Sequence, residues 1–301
     1  TCPMLKTVFD PLQQQHDTAG LFIQGQAYLE VPRRAEILQH ALAQARWCSP
    51  VKPHDFGRGP LVEVHSPAYL DFLATIAASA APYGHLQGGG PALADTFAPV
   101  SARRFSPHPW AQIGRYTFDV SVPFLHGTWA AAYASAQCAL TAAEIVLEGE
   151  RAAYALCRPP GHHALVTQAG GYCYLNNAAI AARYLQRHHR GMRVAILDID
   201  YHHGNGTQEI FYADPSVLYV SLHADPDVEY PFYWGGADER GSGAGQGANL
   251  NLPLPAKTDD AQYLAALDDA LDAIREYAPI QLVTSVGFDT TAGDPSVLTA
   301  G

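Results

Sequence analysis

The residues best suited to chemistry are histidines, aspartates and glycines that gather in four short segments. Five of the 14 histidines fall within three of these segments, so we expect the chemistry there. The segments are 158–163 (Arg-Pro-Pro-Gly-His-His), 198–206 (Asp-Ile-Asp-Tyr-His-His-Gly-Asn-Gly), 221–223 (Ser-Leu-His) and 287–289 (Gly-Phe-Asp). Carboxylates and imidazoles in this pattern are typical of a metal site with acid–base groups beside it.

Asp200 and His202 are two positions apart, so in an extended chain both side chains leave the same face and can hold one ion. Asp289 can complete the site. Two carboxylates and one imidazole suit a divalent ion such as Zn²⁺, whose catalytic sites keep three protein ligands and one open position. Fe²⁺ suits the same ligands. An isolated Asp-x-His is more often a solvated loop or a helix cap, and the neighbouring motifs favour the metal site.

His162 and His163 follow a Pro-Pro-Gly turn, where two adjacent imidazoles gain little from ordinary packing. General acid–base catalysis beside a metal explains them better. Each would need an orienting acceptor on its other ring nitrogen, and the sequence offers Asp198 and Asn205. Asp198 is equally suited to cap backbone amides or to hold a monovalent cation.

The elements that must position these segments alternate along the chain from residue 152 onwards. The pattern predicts strands over 152–157, 193–200, 217–223 and 281–289, and helices over 177–188, 208–212 and 259–278. Such alternation is typical of a parallel α/β sheet. The carboxyl ends of parallel strands meet at one edge, so we expect the four segments to converge there.

The first half of the chain is less regular. Periodicity predicts helices over 32–45, 67–78 and 128–147, the last with Thr128 as its N-cap. Residues 82–127 are rich in Gly, Pro and Ser and are predicted to form a long insert without regular periodicity. Aromatic residues in the insert favour a packed lid or contact surface over disorder. We find no internal repeat or linker, so we expect one catalytic domain over 1–301.

Composition excludes several classes of partner. With 18 Lys plus Arg against 29 Asp plus Glu, the net charge is -11, and no nucleic-acid partner is expected. The five cysteines are widely spaced, which favours free thiols in a reducing compartment, and we expect a cytoplasmic protein. No apolar run is long enough for a signal peptide or a membrane segment, so no membrane partner is expected.

The motifs together resemble the zinc-dependent histone deacetylase superfamily. Besides the segments at 158–163, 198–206 and 287–289, the resemblance includes Gly-Gly-Tyr-Cys-Tyr-Leu-Asn-Asn at 170–177, Pro-Arg-Arg-Ala-Glu at 32–36 and Val-His-Ser-Pro-Ala-Tyr-Leu at 64–70. The long insert, Gln-Ile-Gly at 112–114 and Tyr-Trp-Gly-Gly-Ala-Asp-Glu at 233–239 are similar to the bacterial acetylpolyamine amidohydrolase branch.

The resemblance implies a three-layer arginase-like and deacetylase-like α/β fold with a central parallel sheet. It implies hydrolysis of the acetyl amide of small acetylated amines such as acetylpolyamines, or of acetyl-lysine, to acetate and a free amine. Zinc would be held by Asp200, His202 and Asp289. His163 would be the general base and acid, partnered by Asn205, and His162 beside Asp198 would act electrostatically.

Further expectations come from the same resemblance. A structural K⁺ would be held by Asp198, Asp200, Ser221 and the backbone oxygens of His202 and Leu222. Tyr172 and Tyr230 would form aromatic walls of a substrate channel, although ordinary core packing explains either ring as well. The insert at 82–127 would narrow this channel and build a homodimer.

Two other functions stay open on the sequence alone. A manganese ureohydrolase shares the fold but needs further Asp ligands where this chain has His203 and Asn205. A catalytically weak or silent acetyl-ligand binder would keep the metal site without turnover. The family's catalytic tyrosine follows the Gly-Phe-Asp motif by several dozen residues, whereas the last tyrosine here is Tyr277. We therefore expect the C-terminal part of the fold to be missing from these 301 residues.

Overall fold

The fold is taken from a computed structural model, which describes residues 4–83, 90–189, 191–291 and 294. The chain divides into two compact units, residues 1–180 and 181–301. Each unit contains a parallel sheet with helices, which confirms the predicted α/β class. That residues 1–301 act as one catalytic domain stays a prediction.

The first unit is built around a three-stranded parallel sheet. Its elements are β1 (Leu5–Val8), β2 (Phe22–Ile23), β3 (Gln26–Ala27), α1 (Pro32–Gln44), β4 (Cys48–Val51), α2 (Pro67–Ala80), α3 (Pro109–Tyr116), α4 (Thr128–Leu147) and β5 (Ala153–Ala155). Strand β1 lies between β4 and β5, and β2 pairs with β3 in a small antiparallel ribbon. Helix α5 (Asn177–His188) begins in this unit and ends in the second.

Helix α4 forms the apolar centre of the first unit. It is rich in Ala and buries most of its residues, among them Cys138 and Ile145, which pack with Val8 of β1. Among the described residues, α4 is the one helix long and apolar enough to cross a membrane, and 72% of its most apolar window is buried. This burial is what the core helix of a folded unit requires.

The second unit contains a four-stranded sheet in the order β8-β7-β6-β9, with every pair parallel. Its elements are β6 (Val194–Asp198), α6 (Asn205–Phe211), β7 (Val217–Ala224), β8 (Asn249–Leu254), α7 (Asp260–Tyr277) and β9 (Gln281–Ser285). Helix α7 begins with a capping box between Asp259 and Gln262, and its Ala270 and Ile274 pack on the apolar side chains of β6 and β7. In this sheet Asp198 lies opposite both Ser221 and Ser285.

The structure corrects several sequence expectations for the first unit. Thr128 is the first residue of α4 and does not cap it; its hydroxyl accepts from Leu125 N and contacts His16 instead. The insert is not irregular throughout, because α3 lies inside it and Ala92 pairs with Phe124. Residues 84–89 of the insert lie outside the described residues.

Candidate active site

The predicted metal ligands come together in the second unit. One ligand atom each of Asp200, His202 and Asp289 lies within 4.8 Å of the others. His202 Nδ1 is 3.3 Å from Asp200 Oδ1 and 3.0 Å from Asp289 Oδ2. Asp200 and His202 follow β6, and Asp289 follows β9, its neighbour in the sheet. The parallel pairing of these two strands therefore brings the three ligands to one edge.

The chemistry of this donor set fits a divalent cation. Burial alone would lower the pKa of His202, but its hydrogen bonds to the Asp200 and Asp289 carboxylates raise that pKa to about 10. The two carboxylates thus favour positive charge at the point where they converge. Backbone amides also hold the carboxylates in place: Asp200 Oδ1 accepts from His202 N and Asp289 Oδ1 accepts from Tyr201 N.

Gly287 leaves room for these carboxylates. A Cβ added to Gly287 would lie 2.6 Å from Asp289 Oδ1 and closer still to Asp200 Oδ2. Any larger residue here has to displace the predicted metal ligands. The glycine of the Gly-Phe-Asp motif is therefore part of the geometry of the site.

The side chains predicted to hold potassium lie at the carboxyl ends of β6 and β7. Asp198 is fully buried and accepts a hydrogen bond from the Tyr219 hydroxyl at 3.1 Å. Ser221 Oγ lies 2.8 Å from His223 Nδ1. Leu222, the residue between these two, is fully buried. This acidic, oxygen-rich strand end suits a cation, and its occupation by K⁺ stays a prediction.

Tyr230 lies beside the predicted metal ligands. Its ring is 6.0 Å from that of His202, in an edge-to-face arrangement. Its neighbour Glu229 is buried and accepts a hydrogen bond from the Tyr201 hydroxyl at 3.3 Å. The loop that carries Tyr230 is therefore attached to the loop that carries His202.

A group of polar side chains, three of them buried, fixes the same loop from its other end; we call this group the amide network. Gln208 Nε2 donates to Glu239 Oε2 at 2.8 Å, and Gly235 N donates to the same oxygen at 2.7 Å. Asn249 and Asn251 of β8 both donate to Gln208 Oε1. The amide network consists of Gln208, Glu239, Asn249 and Asn251. Gln208 also contacts His203 Nε2, which joins the network to the metal-ligand loop.

The predicted proton-transfer residues His162 and His163 lie in the first unit. Both are buried, and their rings are 4.0 Å apart at an angle of 49°. The His163 ring packs on Gly171, where an added Cβ would lie 2.5 Å from its Cγ and closer still to Cδ2. Gly171 also has a φ of +54°, a conformation that favours glycine. The Gly-Gly-Tyr motif thus shapes the surface on which His163 rests.

Buried polar contacts hold the turn that precedes these histidines. Arg158 Nε lies 2.7 Å from Glu30 Oε1, and both side chains are almost fully buried. Gln13 accepts from Arg158 N at 2.7 Å, which ties the turn to the start of the chain. Ser135 of α4 donates to Pro159 O at 2.9 Å. Removing one partner of a buried ion pair leaves the other charge buried and unpaired, which costs several kcal/mol, so the turn is firmly anchored.

Tyr172, the other predicted channel wall, is half-buried and packs edge-to-face on Tyr28 at 4.9 Å. Its backbone is held by the end of the insert, because Asp119 Oδ2 accepts from Gly171 N at 2.9 Å and Ser121 Oγ accepts from Tyr172 N at 3.3 Å. A carboxylate therefore lies next to the Tyr172 backbone, a feature that the sequence analysis missed.

The structure thus joins Asp200, His202, Asp289 and Tyr230 in one unit, and His162, His163 and Tyr172 in the other. Asn205 is buried as the first residue of α6. The pairing of His163 with Asn205 and of His162 with Asp198 stays a prediction.

The amide network was not predicted from the sequence. Two asparagines at alternate positions of a strand, Asn249 and Asn251, were a usable signal for it.

Comparison with known proteins places the chain in a family. Residues 28–299 match the histone deacetylase domain. The chain is 49% identical to acetylpolyamine amidohydrolase 1 of Pseudomonas aeruginosa, over 90% of this chain and 78% of that protein. It is 47% identical to an acetylpolyamine amidohydrolase of Burkholderia pseudomallei, over 96% of this chain and 84% of that protein.

A solved structure agrees with these relatives. The crystal structure of the acetylpolyamine aminohydrolase of Burkholderia pseudomallei superposes with a TM-score of 0.90 and 46% identity, covering 97% of this chain and 84% of that one. The fold is therefore the arginase-like and deacetylase-like α/β fold that the motifs implied. The family and the carboxylate–imidazole triad both indicate a metal cofactor. This chain belongs to the histone deacetylase family, in its acetylpolyamine amidohydrolase branch.

Proposed function

We propose that this protein is a zinc-dependent deacetylase that hydrolyses acetylpolyamines to acetate and the free amine. The observation that carries the proposal is the convergence of Asp200, His202 and Asp289, in a chain 47–49% identical to acetylpolyamine amidohydrolases over most of its length. Fe²⁺ is the alternative ion, because the donor set suits both metals. A divalent ion bound there supplies Lewis acidity toward the acetyl oxygen and lowers the pKa of a water.

The chain's own residues carry the proton transfers in this proposal. His163 takes a proton from the attacking water and gives one to the amine nitrogen as the amide C–N bond breaks. His162 stabilises the charge that develops. Asn205 and Asp198 orient the two imidazoles, and their difference in charge makes the two histidines unequal bases. These roles rest on the matching motifs.

Binding of an amine substrate is supported by two aromatic residues and one carboxylate. We propose that Tyr172 and Tyr230 flank the aliphatic part of the substrate. Asp119, hydrogen-bonded to the backbone next to Tyr172, is suited to attract a distal ammonium. The proposed ligands of a structural K⁺ are Asp198, Asp200, Ser221 and the backbone oxygens of His202 and Leu222.

We further propose a cytoplasmic homodimer that contacts neither nucleic acid nor membrane. The net charge of -11 argues against a nucleic-acid partner, and the four described cysteines are free thiols. Val100 and Phe105, in the described part of the 82–127 insert, are exposed apolar residues suited to a partner surface. Light scattering should give twice the monomer mass, and Val100→Asp with Phe105→Asp should halve it. A monomeric mass for the unmodified protein would contradict the dimer.

The experiment that tests the function is acetate release from acetylputrescine, acetylspermidine and an acetyl-lysine peptide. The zinc-loaded protein is compared with protein depleted by a chelator and then reloaded with Zn²⁺ or Fe²⁺. We expect release from the acetylpolyamines with metal and loss of release without it. Binding of these compounds without any release would instead favour a silent acetyl-ligand binder.

A further inference from the structure

His65 is a buried histidine that the proposed mechanism does not use. It is 1% exposed and lies directly before Ser66, the N-cap of α2. Burial at this depth favours the neutral imidazole, and each of its ring nitrogens needs a hydrogen-bond partner so that no buried polar atom is left unsatisfied. Its contacts, all within the first unit, lead to the turn that carries His162 and His163.

The two ring nitrogens of His65 have opposite roles. Nδ1 lies 3.0 Å from Leu165 O, a group that can only accept, whereas Nε2 lies 2.9 Å from Asn176 N, a group that can only donate. One neutral tautomer, with its proton on Nδ1, satisfies both contacts. Burial lowers the pKa of His65 to about 4, so this neutral form is the one present at neutral pH. Ser66 N donates to Val166 O at 3.1 Å and strengthens the same attachment.

Asn176 continues the connection toward His163. Its Nδ2 lies 3.2 Å from Ala164 O and 3.5 Å from His162 O, the carbonyls on either side of His163. Its Oδ1 accepts from Ala179 N at 3.0 Å, in the first turn of α5. The Asn176 side chain is therefore fixed at both ends. His65 in turn fixes the Asn176 backbone.

We propose that His65 is a positioning residue that acts through Asn176 to hold the backbone of His163 where proton transfer requires it. This inference rests on the role of His163 in the proposed function. An apolar residue of similar size would fill the space but would remove the hydrogen bonds that the ring makes to the Asn176 amide and the Leu165 carbonyl. The imidazole is needed because it bridges a donor and an acceptor.

The test is a double-mutant cycle between His65→Leu and His163→Ala in the metal-loaded protein, with acetylputrescine as substrate. We expect His65→Leu alone to lower kcat by about 10- to 100-fold, with KM and metal content nearly unchanged. In the His163→Ala background the same change should lower kcat less than about twofold, because the group that it positions is already gone. A purely structural role would lower kcat equally in both backgrounds.

Two further variants complete the design. His65→Asn keeps a donor near Leu165 O but loses the acceptor for Asn176 N. Its kcat should therefore lie between those of wild type and His65→Leu. This variant replaces His65→Leu in the cycle if the leucine variant does not fold. Tyr69→Phe is the control. It removes another buried hydrogen bond, which the Tyr69 hydroxyl of α2 donates to Tyr174 O at 2.7 Å, two residues before Asn176. It should lower the melting temperature but leave kcat within about twofold of wild type.

The outcomes separate this inference from the proposed function. Native kcat in His163→Ala would overturn the roles of both His163 and His65. A large loss in His163→Ala, together with native kcat in His65→Leu or equal losses in both backgrounds, would overturn the role of His65 alone. A loss of kcat that His65→Leu causes only when His163 is present, and not in the His163→Ala background, confirms the positioning role.

Discussion

Gly287 lies directly against the Asp200 carboxylate, so that an added Cβ would fall 2.6 Å from Asp200 Cγ. Gly287→Ala should therefore displace the ligand and weaken Zn²⁺ binding by about 10- to 100-fold, the usual cost of disturbing a metal site from outside its ligands. Competition with a chelating dye measures the affinity. Gly59→Ala is the matched control, because no atom lies within 4 Å of a Cβ there and φ is not positive. Equal affinities for Gly287→Ala and wild type would contradict the assigned site.

Gly171 lies directly against the His163 ring, just as Gly287 lies against the Asp200 carboxylate. Gly171→Ala should push the His163 ring aside and lower kcat by about 10²-fold, with metal content unchanged. Because Gly171 also has a positive φ, part of any effect is backbone strain of about 1 kcal/mol. Gly20→Ala isolates that strain, since Gly20 has a φ of +79° and no neighbour within 4 Å. A kcat loss as large in Gly20→Ala would remove the argument for a His163 contact.

Asp119 should determine how strongly charged substrates are preferred. Asp119→Asn keeps an oxygen that can accept from Gly171 N but removes the negative charge. We expect kcat/KM for acetylspermidine to fall about tenfold, or about 1.4 kcal/mol, and kcat/KM for neutral N-butylacetamide to change less than about twofold. Steady-state kinetics on the two compounds decides this. An equal change for both would mean that Asp119 only supports the loop.

His16 should make the protein less stable in mild acid. Burial, helped by the positive charge of Arg158, lowers the pKa of His16 to about 3, whereas an unfolded histidine has a pKa of about 6.5. Below pH 6.5 the unfolded chain therefore binds a proton that the folded protein does not, and stability falls as the pH falls toward 3. The slope is about 1.4 kcal/mol per pH unit for this one group.

The check is the free energy of unfolding from urea titrations between about pH 6.5 and pH 5. His16→Asn retains groups that can contact the Thr128 hydroxyl, which lies 3.0 Å from Nδ1 in the folded protein. Its stability should depend on pH less steeply than that of wild type by about 1.4 kcal/mol per unit. Parallel curves for the two proteins would show that His16 is not neutral when folded.

The second unit was predictable because its signals are local. Strands β6 and β7 are apolar runs that lead into polar motifs. The rule that parallel strands share an edge was then enough to predict that Asp200, after β6, and Asp289, after β9, lie together. The short strands β1 and β4 were missed because four residues carry no periodicity and Pro50 argues against a strand. Helix α3 was missed for a similar reason, because it is short and two prolines, Pro107 and Pro109, lie at its start.

The contacts of His65 and Asp119 could not be predicted from the sequence. The partners of His65 are 100 and 111 residues away, and Asp119 meets Gly171 across 52 residues. In the sequence, a histidine before Ser-Pro indicates only that a helix begins nearby. Only tertiary structure shows which distant backbone groups its two nitrogens meet.

The amide network has a consequence for how this enzyme branch can diversify. Its polar side chains hold the loop that carries Tyr230, while Phe232 and Tyr233 in the same loop are 51% and 83% exposed. Substitutions at exposed positions usually change stability by less than about 0.5 kcal/mol. Substitutions at residues 232 and 233 should therefore leave the anchored backbone and the Asp200–His202–Asp289 site in place, which makes this loop a natural place for a mutant library.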